Sequence, residues 1–156
     1  MSVNKIGGRR IVDHNGNDLG DIDVLGIHSP SRTLVAVEAK DFEIARTPSE
    51  LAGEIEKLFA GGTAKRSTVE LHSRRLKWLS DHLTDVVREM GGQADSSWRV
   101  AGAIVTSDPL VSPLSISSPI PVIPLEDLAP NSFALSSPSH LPKRRAGKGS
   151  PLKRQR

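Results

Sequence analysis

Short apolar segments separated by polar turn residues fill the first forty positions of the chain. Residues 9–14, RRIVDH, have the make-up of a short strand, and the NGND that follows is turn chemistry, because Asn-Gly readily supplies positive φ. Residues 19–27, LGDIDVLGI, are then the second strand of a hairpin. The polar, proline-containing HSPSRT at 28–33 separates it from LVAVEAK at 34–40, a third strand with the strongest apolar run so far. After Phe42 the spacing becomes helical. Thr47-Pro48-Ser49-Glu50 reads as a capped start, with Thr47 as N-cap, Pro48 at the first position and Glu50 at the third. Leu51, Ile55, Leu58 and Phe59 share a face, and Gly61-Gly62 ends the helix. A longer helix is predicted over 67–90, where Val69, Leu76, Leu79, Leu83, Val86 and Met90 recur at three- and four-residue spacing before Gly91-Gly92. WRVAGAIVT at 98–106 returns to strand composition. A proline-rich loop then leads to a short strand at 121–123 and one helical turn. Three strands, two helices and two strands predict an α/β fold: a mixed central sheet with a three-strand meander, flanked by helices.

Acids interrupt the apolar pattern at a particular place. Strands disfavour short acidic side chains, yet GDIDVL carries Asp21 and Asp23, and the third strand ends in Glu38-Ala39-Lys40. At a period of two, Asp21 and Asp23 point to one face and Ile22 and Val24 to the other. Glu38 and Lys40 share a face, opposite Val35, Val37 and Ala39. A hairpin symmetric about Pro30 and Ser31 pairs position i with position 61 minus i, which sets Asp23 opposite Glu38 and Asp21 opposite Lys40. Opposed side chains have Cβ atoms about 4.5–5.5 Å apart, so two carboxylates there repel unless a cation lies between them. Mg²⁺, or Mn²⁺ in its place, suits such a site, with Asp23, Glu38 and the Ala39 carbonyl as hard oxygen ligands and water and phosphate completing the shell. Lys40 is then placed to orient a water and to steady charge on a phosphate, with Asp21 as a secondary candidate beside it. This is the chemistry of phosphodiester hydrolysis.

Composition narrows the options further. The chain has no cysteine, which excludes disulfides, thiolate zinc sites and cysteine nucleophiles. No apolar stretch nears the roughly 20 residues that span a bilayer, and MSVNKIGGRR lacks the apolar centre of a signal peptide, so a soluble cytoplasmic protein without a membrane partner is expected. The net charge of +3 is unevenly distributed. Seven of the 21 basic residues lie in the last fourteen positions, which leaves residues 1–142 with 14 basic and 18 acidic residues, a net −4. Residues 1–130 therefore read as one α/β domain and 131–156 as a basic, Ser/Pro-rich tail predicted to be disordered. Lys143, Arg144 and Arg145 within it suit either a solvated tail or a phosphate-binding arm. The same clusters suit nuclear import in a eukaryote. On the long helix, His72, Arg74, Arg75 and Lys77, with Lys65 and Arg66 upstream, read either as a solvated face or as contacts to a nucleic-acid backbone. Trp78 either packs on the sheet or stacks on a base. His14 and His28 fall in or near turns and take no role.

Gly20-Asp21-Ile22-Asp23-Val24-Leu25, a short hairpin, and Val35-Ala36-Val37-Glu38-Ala39-Lys40 together resemble the PD-(D/E)xK nuclease superfamily, the restriction-endonuclease-like fold. The resemblance spans residues 9–106. It implies a nuclease in which Asp23 and Glu38 bind the metal and Lys40 serves catalysis, with DNA as the partner and a homodimer left open. It departs from the family in having Ile22 where a Pro often stands. It also implies a helix ahead of the first strand, for which there is almost no room before Arg9, so a chain shortened at its N-terminus relative to the family is expected. Two functions of different class follow: a Mg²⁺-dependent DNA nuclease, or a catalytically inactive nuclease-like module that binds nucleic acid or a protein. No phosphate-binding lysine loop, dinucleotide fingerprint or nucleophile elbow competes with them.

Overall fold

The computed structural model describes residues 3–63 and 65–128. The chain opens with a two-residue ribbon, β1 (Lys5–Ile6) against β2 (Arg9–Arg10). β3 (Val24–His28) and β4 (Thr33–Lys40) form an antiparallel hairpin closed by a 3₁₀ turn at Ser29–Ser31. α1 (Pro48–Ile55) runs into a π-helical turn at Glu56–Ala60, and α2 (Thr68–Asp81) and α3 (Leu83–Glu89) follow. β5 (Arg99–Thr106) and the short β6 (Val122–Pro124) complete a four-stranded mixed sheet in the order β3-β4-β5-β6, with β4, β5 and β6 parallel.

The predicted meander is corrected at its first strand. Residues 9–14 do not join the main sheet. Val12 makes only an isolated bridge to Asp18, and Ile22, expected inside the second strand, bridges back to Val3. Local polar chemistry is the cause. Asp13 Oδ1 accepts from the Asn15 and Asn17 amides, Gly16 and Gly20 take φ of +80° and +71°, and the chain bends at Asp23 before the ladder begins at Val24. That bend also cancels the expected alternation, for Ile22 is fully buried while Val24 is 56% exposed.

The long helix is also corrected. His82 leaves helical geometry at φ −118° and ψ 18°, dividing α2 from α3. Its Nδ1 lies 2.9 Å from the Trp78 carbonyl and its ring stacks on Trp78 with centroids 4.3 Å apart. The predicted cap of the first helix is present in full: Thr47 Oγ1 accepts from the Glu50 amide, and Glu50 Oε2 accepts from the Thr47 amide.

Both apolar clusters lie on one face of the sheet, under α2. Leu34 and Ala36 pack with Ile11, Leu19, Ile22, Trp78, Leu79 and Val86, and Ile104 packs with Leu58, Val69, Leu110 and Ile120. Burial of each large aliphatic side chain here contributes about 1.5–3 kcal/mol. Leu76 touches both clusters. Beneath it, opposite Ala36, lies Gly102, where a Cβ would come within 2.4 Å of Leu76 Cδ1. The missing side chain lets α2 sit close on the sheet, near the end of β4 that carries Glu38.

Candidate active site

The hairpin register is the one read from the sequence: Val24 faces Val37 and Leu25 faces Ala36, each pair summing to 61. The ladder stops just short of Asp23, whose Oδ2 instead accepts from the Ala39 amide at 2.9 Å. Since the N–H and C=O of one strand residue point the same way, the Ala39 carbonyl also faces the Asp23 side. Lys40, one residue on, uses its carbonyl on the other side, accepting from the Ser107 amide beyond β5. Asp23, Glu38, Ala39 and Lys40 thus meet at the carboxyl end of β4, an interior strand of the sheet.

Glu38 is in the interior, only 4% exposed. It shares the face of Leu34 and Ala36, which is the face that α2 covers. Its Oε1 pairs with Lys40 Nζ at 2.7 Å and its Oε2 with Arg75 Nη1 at 2.5 Å. A buried carboxylate needs such partners. Lys40 is half-exposed and Arg75 is buried, so Oε1 is the oxygen nearer solvent.

Arg75 is the residue whose placement differs most from expectation. Both readings of the helix put it in solvent, but it is 5% exposed, and beyond Glu38 its Nε donates to the Leu19 carbonyl at 2.7 Å. A Cβ on Gly20 would lie 3.1 Å from its Nη2. A buried guanidinium committed to Glu38 and Leu19 is withdrawn from any phosphate outside. The sequence did carry a signal, since Arg75 falls on the apolar stripe between His72 and Leu79, both fully buried. Arg74 and Lys77 are at the surface but paired, Arg74 with Glu70 and Asp13, Lys77 with Asp81. Trp78 is in the core, which is its packing reading. Lys143, Arg144 and Arg145, and the whole predicted tail, lie outside the described residues.

Asp21 has no strand pairing that sets it opposite Lys40, because the ladder begins three residues later. It lines a hollow with Asn4, Lys5, Arg10 and Asp18 beside the N-terminal ribbon. His72, one turn before Arg75, is fully buried rather than on the outer face of the helix; its Nε2 lies 3.3 Å from the Ala36 carbonyl and its Nδ1 has no hydrogen-bond partner among the described residues. Desolvation lowers its pKa to about 4, outweighing the upward pull of the Ala36 bond.

The donors at the end of β4 are all oxygens: two carboxylates, Asp23 and Glu38, and the Ala39 carbonyl. Among the described residues no three His, Cys, Asp or Glu side chains gather as a metal cage. That donor chemistry fits a hard cation such as Mg²⁺, which takes one or two carboxylates and fills its shell with water and phosphate. It does not fit a thiolate or imidazole metal. Comparison with family models, curated proteins and solved structures finds no match to this chain. Among the described residues no helix is long and apolar enough to cross a membrane.

Proposed function

We propose that the chain is a metal-dependent nuclease of restriction-endonuclease-like fold that hydrolyses DNA phosphodiester bonds. The observation that carries this reading is the hairpin register, which brings Asp23 onto the Ala39 amide beside Glu38 and Lys40 at the carboxyl end of a strand with a parallel neighbour. Asp23, Glu38 and the Ala39 carbonyl would hold Mg²⁺ or Mn²⁺. When bound, such an ion supplies Lewis acidity and a nucleophile at neutral pH. Lys40 keeps its ammonium at the mouth of the site, where it steadies the negative charge that grows on phosphate oxygens in the transition state. Arg75 fixes the Glu38 carboxylate from behind, so that the oxygen nearer Lys40 is presented outward. Asp23, through its bond to Ala39, holds the strand end in place.

A second reading rests on a different observation: both Glu38 oxygens already have cationic partners. A chain in which these ion pairs persist would be a catalytically inactive nucleic-acid-binding module. Plasmid and linear DNA incubated with and without Mg²⁺ or Mn²⁺ separate the two. Wild type is expected to cleave only with metal, and Glu38→Ala and Lys40→Ala to lose at least about 10²-fold in rate. Cleavage that persists in both variants would remove the assignment, and absence of cleavage by wild type favours the binding module.

A further inference from the structure

Lys40 also lines a cleft of about 690 Å³ whose walls carry Lys57, Lys65 and Arg66 and one carboxylate, Glu56. The lining carries four cations and one acid, although residues 1–142 as a whole are net negative. The cations differ in availability. Arg66 Nε approaches Glu70 at 3.5 Å, and Lys40 pairs with Glu38. Lys57 and Lys65 are exposed and have no ion-pair partner among the described residues. On the outer face of α2, by contrast, Arg74 and Lys77 are both committed to acids.

The cleft is held in shape by backbone contacts. Thr68 Oγ1 donates to the Lys57 carbonyl at 3.2 Å and ties the π-helical turn to the start of α2. Gly61, at φ +70°, would place a Cβ 2.9 Å from the Ser67 amide nitrogen, and the Gly62 amide donates to the Lys65 carbonyl at 2.9 Å. Only glycine permits the loop to turn back this tightly. The turn brings Lys65 and Arg66 back beside Lys57.

We infer that this cleft is the track for DNA backbone phosphates next to the scissile one, with Lys57 and Lys65 as its principal contacts and Arg66 as a lesser one. The inference rests on the hydrolytic reading of Lys40, since that residue joins the cleft to the proposed site. It transfers the nucleic-acid surface from the α2 basics to the turn between α1 and α2.

The test is fluorescence anisotropy of a labelled 20-base-pair DNA duplex without divalent ions, over a series of NaCl concentrations. The variants are Lys57→Ala/Lys65→Ala and Lys77→Ala. Loss of two phosphate contacts should weaken binding at least about tenfold at 0.1 M salt and lower the slope of log K against log salt by about 2. Lys77→Ala should bind as wild type. A double variant that binds with wild-type affinity and slope overturns the inference, as does a wild type that does not bind. Cleavage in Mn²⁺, measured on the same proteins, keeps the two ideas apart. Binding lost in the double variant while wild type never cleaves removes the hydrolytic reading and leaves the cleft. Cleavage by wild type with binding unchanged in the double variant does the reverse. Both lysines are exposed, so circular dichroism and urea midpoints should match wild type.

Discussion

Arg75 holds Glu38 with one nitrogen and the Leu19 carbonyl with another, so a single guanidinium joins α2, β4 and the segment that leads to Asp23. Removing one partner of a buried pair costs more than the pair contributes, because the remaining charge is left in the interior. Arg75→Met is therefore expected to destabilise by about 3–5 kcal/mol, read from urea denaturation. Arg75→Lys should fall between this variant and wild type, since an ammonium keeps the charge but not the fork that makes both bonds. His72 supplies a pH effect at the same scale. Its imidazole titrates near 6.5 when unfolded and at about 4 when folded, so between those values the unfolded chain binds the extra proton. Its contribution is complete above pH 6.5 and is lost as pH falls to about 4, a change on the order of 3 kcal/mol. Urea midpoints at pH 7 and pH 4.5 should differ less in His72→Gln than in wild type.

Elements explain what single residues cannot. α1 begins on a reciprocal cap, and Thr47→Ala should lower stability by about 1 kcal/mol with little effect on the site, which a thermal melt and a DNA-cleavage assay would show together. Gly102→Ala acts differently. Its new methyl would meet Leu76 and force α2 away from the sheet, costing about 1–3 kcal/mol. Because Arg75 precedes Leu76, the Glu38 pair should loosen as well, and cleavage should fall by more than the stability loss alone explains. The two substitutions therefore separate an element that does not touch the Glu38 pair from one whose placement sets it. The hairpin and the cap were legible in the sequence because their partners are close along the chain, sixteen residues apart for Asp23 and Ala39 and three for Thr47 and Glu50. The division of α2 from α3 was not legible: Trp78 and His82 fit a continuous helix by spacing, and only their stacking shows where the backbone departs.

At the scale of the whole molecule, charge separates along the sequence. Removing residues 143–156 takes away seven basic residues and turns a net +3 into −4. If these residues contact phosphate, the truncated chain should bind DNA more weakly, with a flatter salt dependence, while the rate at saturating substrate stays the same. Anisotropy and single-turnover cleavage over a salt series would check both halves of that expectation. By itself the sequence determined the α/β class, the β3–β4 register, the first helix cap and the gathering of Asp23, Glu38 and Lys40 at one strand end, because periodicity and short-range hydrogen bonding dictate each of them. Tertiary structure alone decided that Glu38 faces the interior, that Arg75 thirty-seven residues away neutralises it, and that Val3 captures Ile22 from the predicted meander. The reason is that burial and long-range pairing depend on which face of the sheet α2 covers, and no local pattern in either segment specifies that face.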